Sequence, residues 1–157
     1  MSDGRGGRGL AHQHVEVPDA PVRMAMSDLV LLCGDATPAI GATSVRLEPN
    51  LEHRVVGSAP LSAYFELDRL TPRHDGQSRF EYTYTVRPIG PRPGGAARLE
   101  AHAMKASREE TFVGTVRRQF LVVPIVALPA GVYELVVDVS DREGDVSARR
   151  SLAFTRE

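Results

Sequence analysis

LPAGVYELVVDVSDREGDVSARRSLAF, residues 128–154, decides the reading of the chain. Pro129 and Gly131 turn the backbone. Tyr133 then opens a run in which Tyr133, Leu135, Val137 and Val139 fall on one side. Residues two apart share a face of a β-strand, so this is a strand with one apolar face. Leu-x-x-Gly-x-Tyr has the form of a corner in Greek-key sandwiches, where a tyrosine hydroxyl returns to upstream backbone while its ring joins the core. Structural roles follow for Tyr133, Gly131 and Pro129. Next comes an acidic run, Asp138, Asp141, Glu143 and Asp145. An EF-hand loop begun at Asp141 finds oxygens at its third and fifth positions, Glu143 and Asp145, but Val146 stands in place of the glycine and Leu152 in place of the bidentate glutamate. The run therefore reads as the turn that lets SARRSLAF pair back on VYELVVDVS. Sandwich loops bind calcium at other spacings too, so Asp141, Glu143 and Asp145 stay as metal candidates.

Working outward, the same period of two recurs. In SRFEYTYTVRPI, Phe80, Tyr82, Tyr84 and Val86 oppose Glu81, Thr83, Thr85 and Arg87. In LSAYFELDRL, Ala63, Phe65 and Leu67 oppose Tyr64, Glu66 and Asp68. HVEV, MSDLVLL, SVRLE, HRVVG, ARLEAHAM, TVRRQFLVV and ARRSLAF are further strand candidates. TPRHDGQ, residues 71–77, carries Pro72 and Asp75-Gly76, the signal of a hairpin between its flanking strands. GPRPGG, residues 90–95, reads as a loop. EAHAMKASREET, residues 100–111, is the one helix-friendly piece and reads as a strand running into a polar turn. Pro124 interrupts QFLVVPIVAL, which places a bulge or an edge there. The pattern predicts an all-β, immunoglobulin- or fibronectin-like sandwich of about seven to nine mainly antiparallel strands. Residues 1–11, rich in Gly and Arg, are expected to be a disordered arm, and 12–157 a single domain.

Composition narrows the function classes. A formal net charge of −1 gives no global field toward nucleic acid or anionic membrane. The single cysteine, Cys33, excludes an intramolecular disulfide and a cysteine-based zinc site. No apolar run approaches the ~20 residues of a membrane span. The N-terminal MSDGRGGRGLAHQH has no apolar h-region, so the chain as written carries no secretory signal.

MSDLVLL, LSAYFELDRL, RFEYTYTV and the closing RRQFLVVPIVALPAGVYELVVDVSDREGDVSARRSLAF follow one another in an order that resembles the C-terminal β-sandwich region of bacterial GWxTD-domain proteins. The resemblance covers roughly residues 12–155. It implies a sandwich fold, no catalytic residues to carry over, and a role as an accessory domain of a larger exported, extracytoplasmic protein. The Gly-Trp-x-Thr-Asp signature is missing, and the chain has no tryptophan.

The remaining constellations are sparse. His12 and His14 would share a strand face and converge on copper or zinc, given a third ligand from His53, His74 or His102. Cys33, following an apolar strand without a cationic neighbour, reads as a small, buried or half-buried residue. There is no Gly-x-Ser-x-Gly elbow, and GDATPAIGATS lacks the lysine of a phosphate loop. Arg108, Arg117, Arg118, Arg149 and Arg150 read as solvent-facing charges that balance the 20 acidic residues. RGGRG, residues 5–9, is a single Arg/Gly copy without aromatic neighbours, too little for RNA binding. The expectation is a non-enzymatic protein-interaction or structural module with no cofactor, acting through a sheet face or an edge strand on a protein partner. The alternative is a metal- or small-ligand-binding sandwich using His12 and His14 or the acidic turn.

Overall fold

A computed structural model describes residues 22–34, 47–89 and 104–157. The described residues form nine strands and no helix: β1 (Ala25–Met26), β2 (Val30–Leu32), β3 (Arg54–Val55), β4 (Leu61–Asp68), β5 (Gln77–Pro88), β6 (Met104–Val113), β7 (Arg117–Val123), β8 (Gly131–Asp141) and β9 (Val146–Arg156). They make two packed sheets that do not close into a barrel. In the first, β4 pairs with β7 along one edge, and β1 and β2 share the other. The second runs β3-β9-β8-β5-β6. All pairings are antiparallel except the two-residue contact of β3 with β9.

The alternating residues put one face of each sheet inside. Phe65 and Leu67 of β4, Phe80, Tyr82 and Val86 of β5, Leu121 and Val123 of β7, and Tyr133, Leu135, Val137 and Val139 of β8 are all buried in one core. Phe65 meets Tyr82 edge-on across the sheets at 6.4 Å between centroids. The corner forms as its sequence predicts. The Tyr133 hydroxyl donates to the Pro129 carbonyl at 2.7 Å, and its ring stacks on Phe154 at 5.7 Å. The acidic run turns β8 into β9, which pair from Gly131↔Arg156 to Asp141↔Val146.

Four expectations need correction. TPRHDGQ does not join a hairpin, because β4 and β5 lie in different sheets. Its turn closes locally, with Arg73 N–H donating to Gln77 O at 2.8 Å and Gly76 N–H to Arg73 O at 2.9 Å. Gly76 takes the left-handed φ of 74° such a turn requires. MSDLVLL is not one strand. Ser27 interrupts it by bonding Glu66 twice, its N–H donating to Glu66 O and its Oγ accepting from Glu66 N–H, both at 2.9 Å. Lys105–Thr111 is not a polar turn but the body of β6, held by ten consecutive partners on β5 from Gln77↔Val113 to Val86↔Met104. Cys33 is exposed rather than buried, its thiol 3.9 Å from the Pro49 carbonyl. Pro124 immediately follows β7, whose partner among the described strands is β4. His12, His14, His102, RGGRG, HVEV and the 90–95 loop lie outside the described residues, as does the expected arm at 1–11.

Candidate interaction surface

A sheet edge exposes a row of unpaired backbone N–H and C=O groups, and proteins commonly shorten or charge such edges. One end of the five-stranded sheet is β3, only two residues long, which covers β9 at Thr155 and Arg156 alone among the described residues. The other is β6, ten residues long and paired, among the described strands, with β5 alone. Lys105, Ala106, Ser107, Arg108 and Glu109 are exposed in succession. Inner strands behave differently; β8 keeps every second residue from Tyr133 to Val139 buried. Five exposed residues in a row, with no second partner strand among the described residues, leave the middle of β6 open on its outer edge.

The side of β6 that faces β5 and β7 is anchored firmly. Ser107 Oγ lies 2.9 Å from Thr83 Oγ1 and donates to Glu81 Oε1 at 2.6 Å. Glu110 gathers donors from β7, which belongs to the other sheet: Arg117 at 3.0 Å and Gln119 Nε2 at 3.0 Å. The Arg117 guanidinium also lies 5.5 Å from the Phe112 ring centroid. Gln119 is buried, and its amide reaches the Tyr82 hydroxyl at 3.4 Å. Burial, then the Glu110 charge, raises the Tyr82 phenol above its usual range. This knot ties β6 to β7 near the Gly114 turn. Away from the turn the two strands part around a cleft of about 430 Å3, bordered by Tyr84, Ala106, Arg108, Phe120 and Val122. One edge of β6 is thus fixed and the other presented.

The metal candidates of the acidic run are scattered by the same turn that unites them in sequence. Asp141 is fully buried, and backbone donors occupy its carboxylate: Thr71 N–H on Oδ2 at 2.9 Å, and Glu143 and Gly144 N–H on Oδ1 at 3.3 Å each. Glu143 points to Arg73 at 3.7 Å and Arg79 at 4.0 Å. Asp145 is exposed, with a left-handed φ of 49°. Among the described residues, no three His, Cys, Asp or Glu side chains gather as a metal site would need. His53 Nδ1 is 3.1 Å from the Ala153 carbonyl, and His74 lies on the 71–77 turn. Arg118 pairs at the surface with Glu66 at 3.4 Å and Arg149 with Asp138 at 2.5 Å. Arg117 and Arg150 do not simply face solvent as expected: Arg117 is tied to Glu110, and Arg150, opposite the buried Val137, is half-buried and reaches the other sheet, donating to Met26 O at 2.8 Å and pairing with Asp28 at 3.3 Å.

On the outer face of the smaller sheet, Tyr64 packs its ring 5.0 Å from Phe120 and donates its hydroxyl to Glu66. Burial first, then the hydrogen bond to Glu66, pushes its phenol up to about 12. A phenol harder to ionise in the fold than in the unfolded chain contributes stability that is complete below the unfolded value near 10 and is lost as pH rises toward 12. Ultraviolet titration of the native protein is expected to show a tyrosine step with its midpoint near 12 that Tyr64→Phe removes. At the other end of the pH scale, the hydrogen bond from Arg87 holds the Glu134 carboxyl below its usual range, so that stabilisation fades as pH falls through the lowered value. The pair lies at the surface, so the loss is small.

No protein-family model and no curated protein matches the sequence. Among the described residues, no helix is long and apolar enough to cross a membrane.

Proposed function

We propose that the chain is an immunoglobulin- or fibronectin-like sandwich module that works by binding protein rather than by catalysis, with the outer edge of β6 as its contact. The observation that carries this is the run of five exposed residues, Lys105–Glu109, on a ten-residue strand paired on one side among the described strands. An extended partner segment adds to such an edge through main-chain hydrogen bonds, with alternate side chains giving selectivity. The resemblance to GWxTD sandwich regions supports an accessory role in a larger exported protein. A metal-binding role for the acidic turn is not favoured. Asp141 is already committed to three backbone donors, and Glu143 faces two arginines.

The test is site-specific photo-cross-linking in the producing cells. A benzoylphenylalanine replacing Lys105 is expected to capture a protein partner. The same probe replacing Val132, exposed on the interior strand β8 of the same sheet and held on both sides, by Thr155 and by the Ile89 N–H, captures none. Equal capture at both positions, or none at Lys105, would overturn the assignment.

A further inference from the structure

The charges along β6 identify a partner for its edge. Glu109 stands directly opposite Glu81 of β5 on the outer face of the sheet, where Glu81 is neutralised by Arg142 and accepts from Ser107 while Glu109 has no such close partner. Its nearest cation, Arg79, is 3.9 Å away and is shared with Glu143. Lys105 stands opposite Thr85 and has no ion-pair partner among the described residues. The strand therefore carries one under-compensated anion and one uncompensated cation, four residues apart on one face.

We propose that the partner of the β6 edge is a second copy of this chain, paired antiparallel about a twofold axis through Ser107; the proposal rests on β6 being the contact edge. An axis perpendicular to the sheet keeps outer face against outer face, so it must pass through a residue rather than between two. Centred on Ser107, the register sets each Lys105 against Glu109 of the other copy and each Arg108 against the small Ala106. Other centres are worse. Centring on Arg108 or Glu109 sets that residue against its own charge, and centring on Ala106 sets Lys105 against Ser107 and forms no charge pair. Pairing at Ser107 joins two five-stranded sheets into one. A single strand-to-strand contact buries less than the ~1,000 Å2 of a stable interface, so the dimer is concentration-dependent and weakened by salt.

The test is light scattering coupled to size-exclusion chromatography at low salt, over protein concentrations from micromolar to near-millimolar. The mass of the wild type is expected to rise from 17.1 kDa toward twice that value. Lys105→Glu and Glu109→Lys each place like charges across the axis and keep the protein monomeric throughout. The double variant restores the opposite pairing and the dimer. Both positions are exposed, so the variants stay folded, which circular dichroism checks. A wild type that stays monomeric overturns the proposal, as does a dimer indifferent to the single reversals or unrescued by the double. If the wild type is monomeric while the Lys105 probe captures a different protein, the edge reading stands and the self-pairing alone fails. If the probe captures nothing and the protein is monomeric, both fail.

Discussion

Asp141→Ala lowers the free energy of unfolding by about 3 kcal/mol, read as a shift of the urea midpoint, because three backbone N–H groups lose a charged acceptor at a buried position. A domain of this size is stable by about 5–15 kcal/mol, so the loss is a large share. The effect exceeds that of an ordinary turn residue because the carboxylate joins two distant segments. Oδ1 organises the β8–β9 turn, and Oδ2 holds Thr71, where the chain leaves one sheet for the other. Asp141→Asn restores only part of it, since one of the two accepting oxygens becomes an amine donor facing another donor. Gly144 is confined by the same site. A Cβ there would sit 2.5 Å from Asp141 Oδ2 and closer still to the Thr71 hydroxyl, so Gly144→Ala is destabilising as well. If Asp141→Ala left the urea midpoint unchanged, the carboxylate would not be the link between these segments.

Tyr133→Ala costs about 4 kcal/mol, the range for removing a large aromatic from a close-packed interior. The ring is fully buried, and the cavity would open beside Phe154 between the last two strands. Tyr133→Phe separates the two contributions of the residue. It keeps the ring and removes the hydroxyl with its bond to Pro129, for a loss of about 1 kcal/mol. Calorimetry of the three proteins checks the order wild type, Tyr133→Phe, Tyr133→Ala. Equal losses for the two variants would mean that the hydroxyl, not the packing, dominates the corner.

The core was legible in the sequence because burial on one face imposes a period of two. Tyr133, Leu135, Val137 and Val139, and Phe80, Tyr82 and Val86, are inside as that period requires. The corner was legible because Pro129, Gly131 and Tyr133 stand at a fixed spacing. The sheet assignment of β4 and β5 was not. A turn signal such as Asp75-Gly76 reports a local reversal and carries no information on whether the flanking strands pair or cross between sheets. The candidate surface was legible least of all. MKASREETFV is polar through its middle, and only Met104 and Phe112 near its ends pack against the core; what makes it a strand is its ten-residue register with β5. Its polarity, which made it read as a turn, is the property that leaves the edge open. The acidic run misleads in the opposite way. The hairpin directs Asp138, Asp141 and Glu143 to separate partners and leaves Asp145 exposed, and the one with most hydrogen bonds, Asp141, is the one farthest from solvent.

Amide hydrogen exchange along β6, followed residue by residue in dilute solution by nuclear magnetic resonance, tests the open edge most directly. In an antiparallel edge strand, alternate N–H groups point to the neighbouring strand and the rest to solvent. From Lys105 to Thr111, slow and fast exchange should therefore alternate, with the fast set becoming protected when the edge is occupied. Uniform protection of all these amides in the dilute monomer would show that the edge is already covered, and would contradict the account.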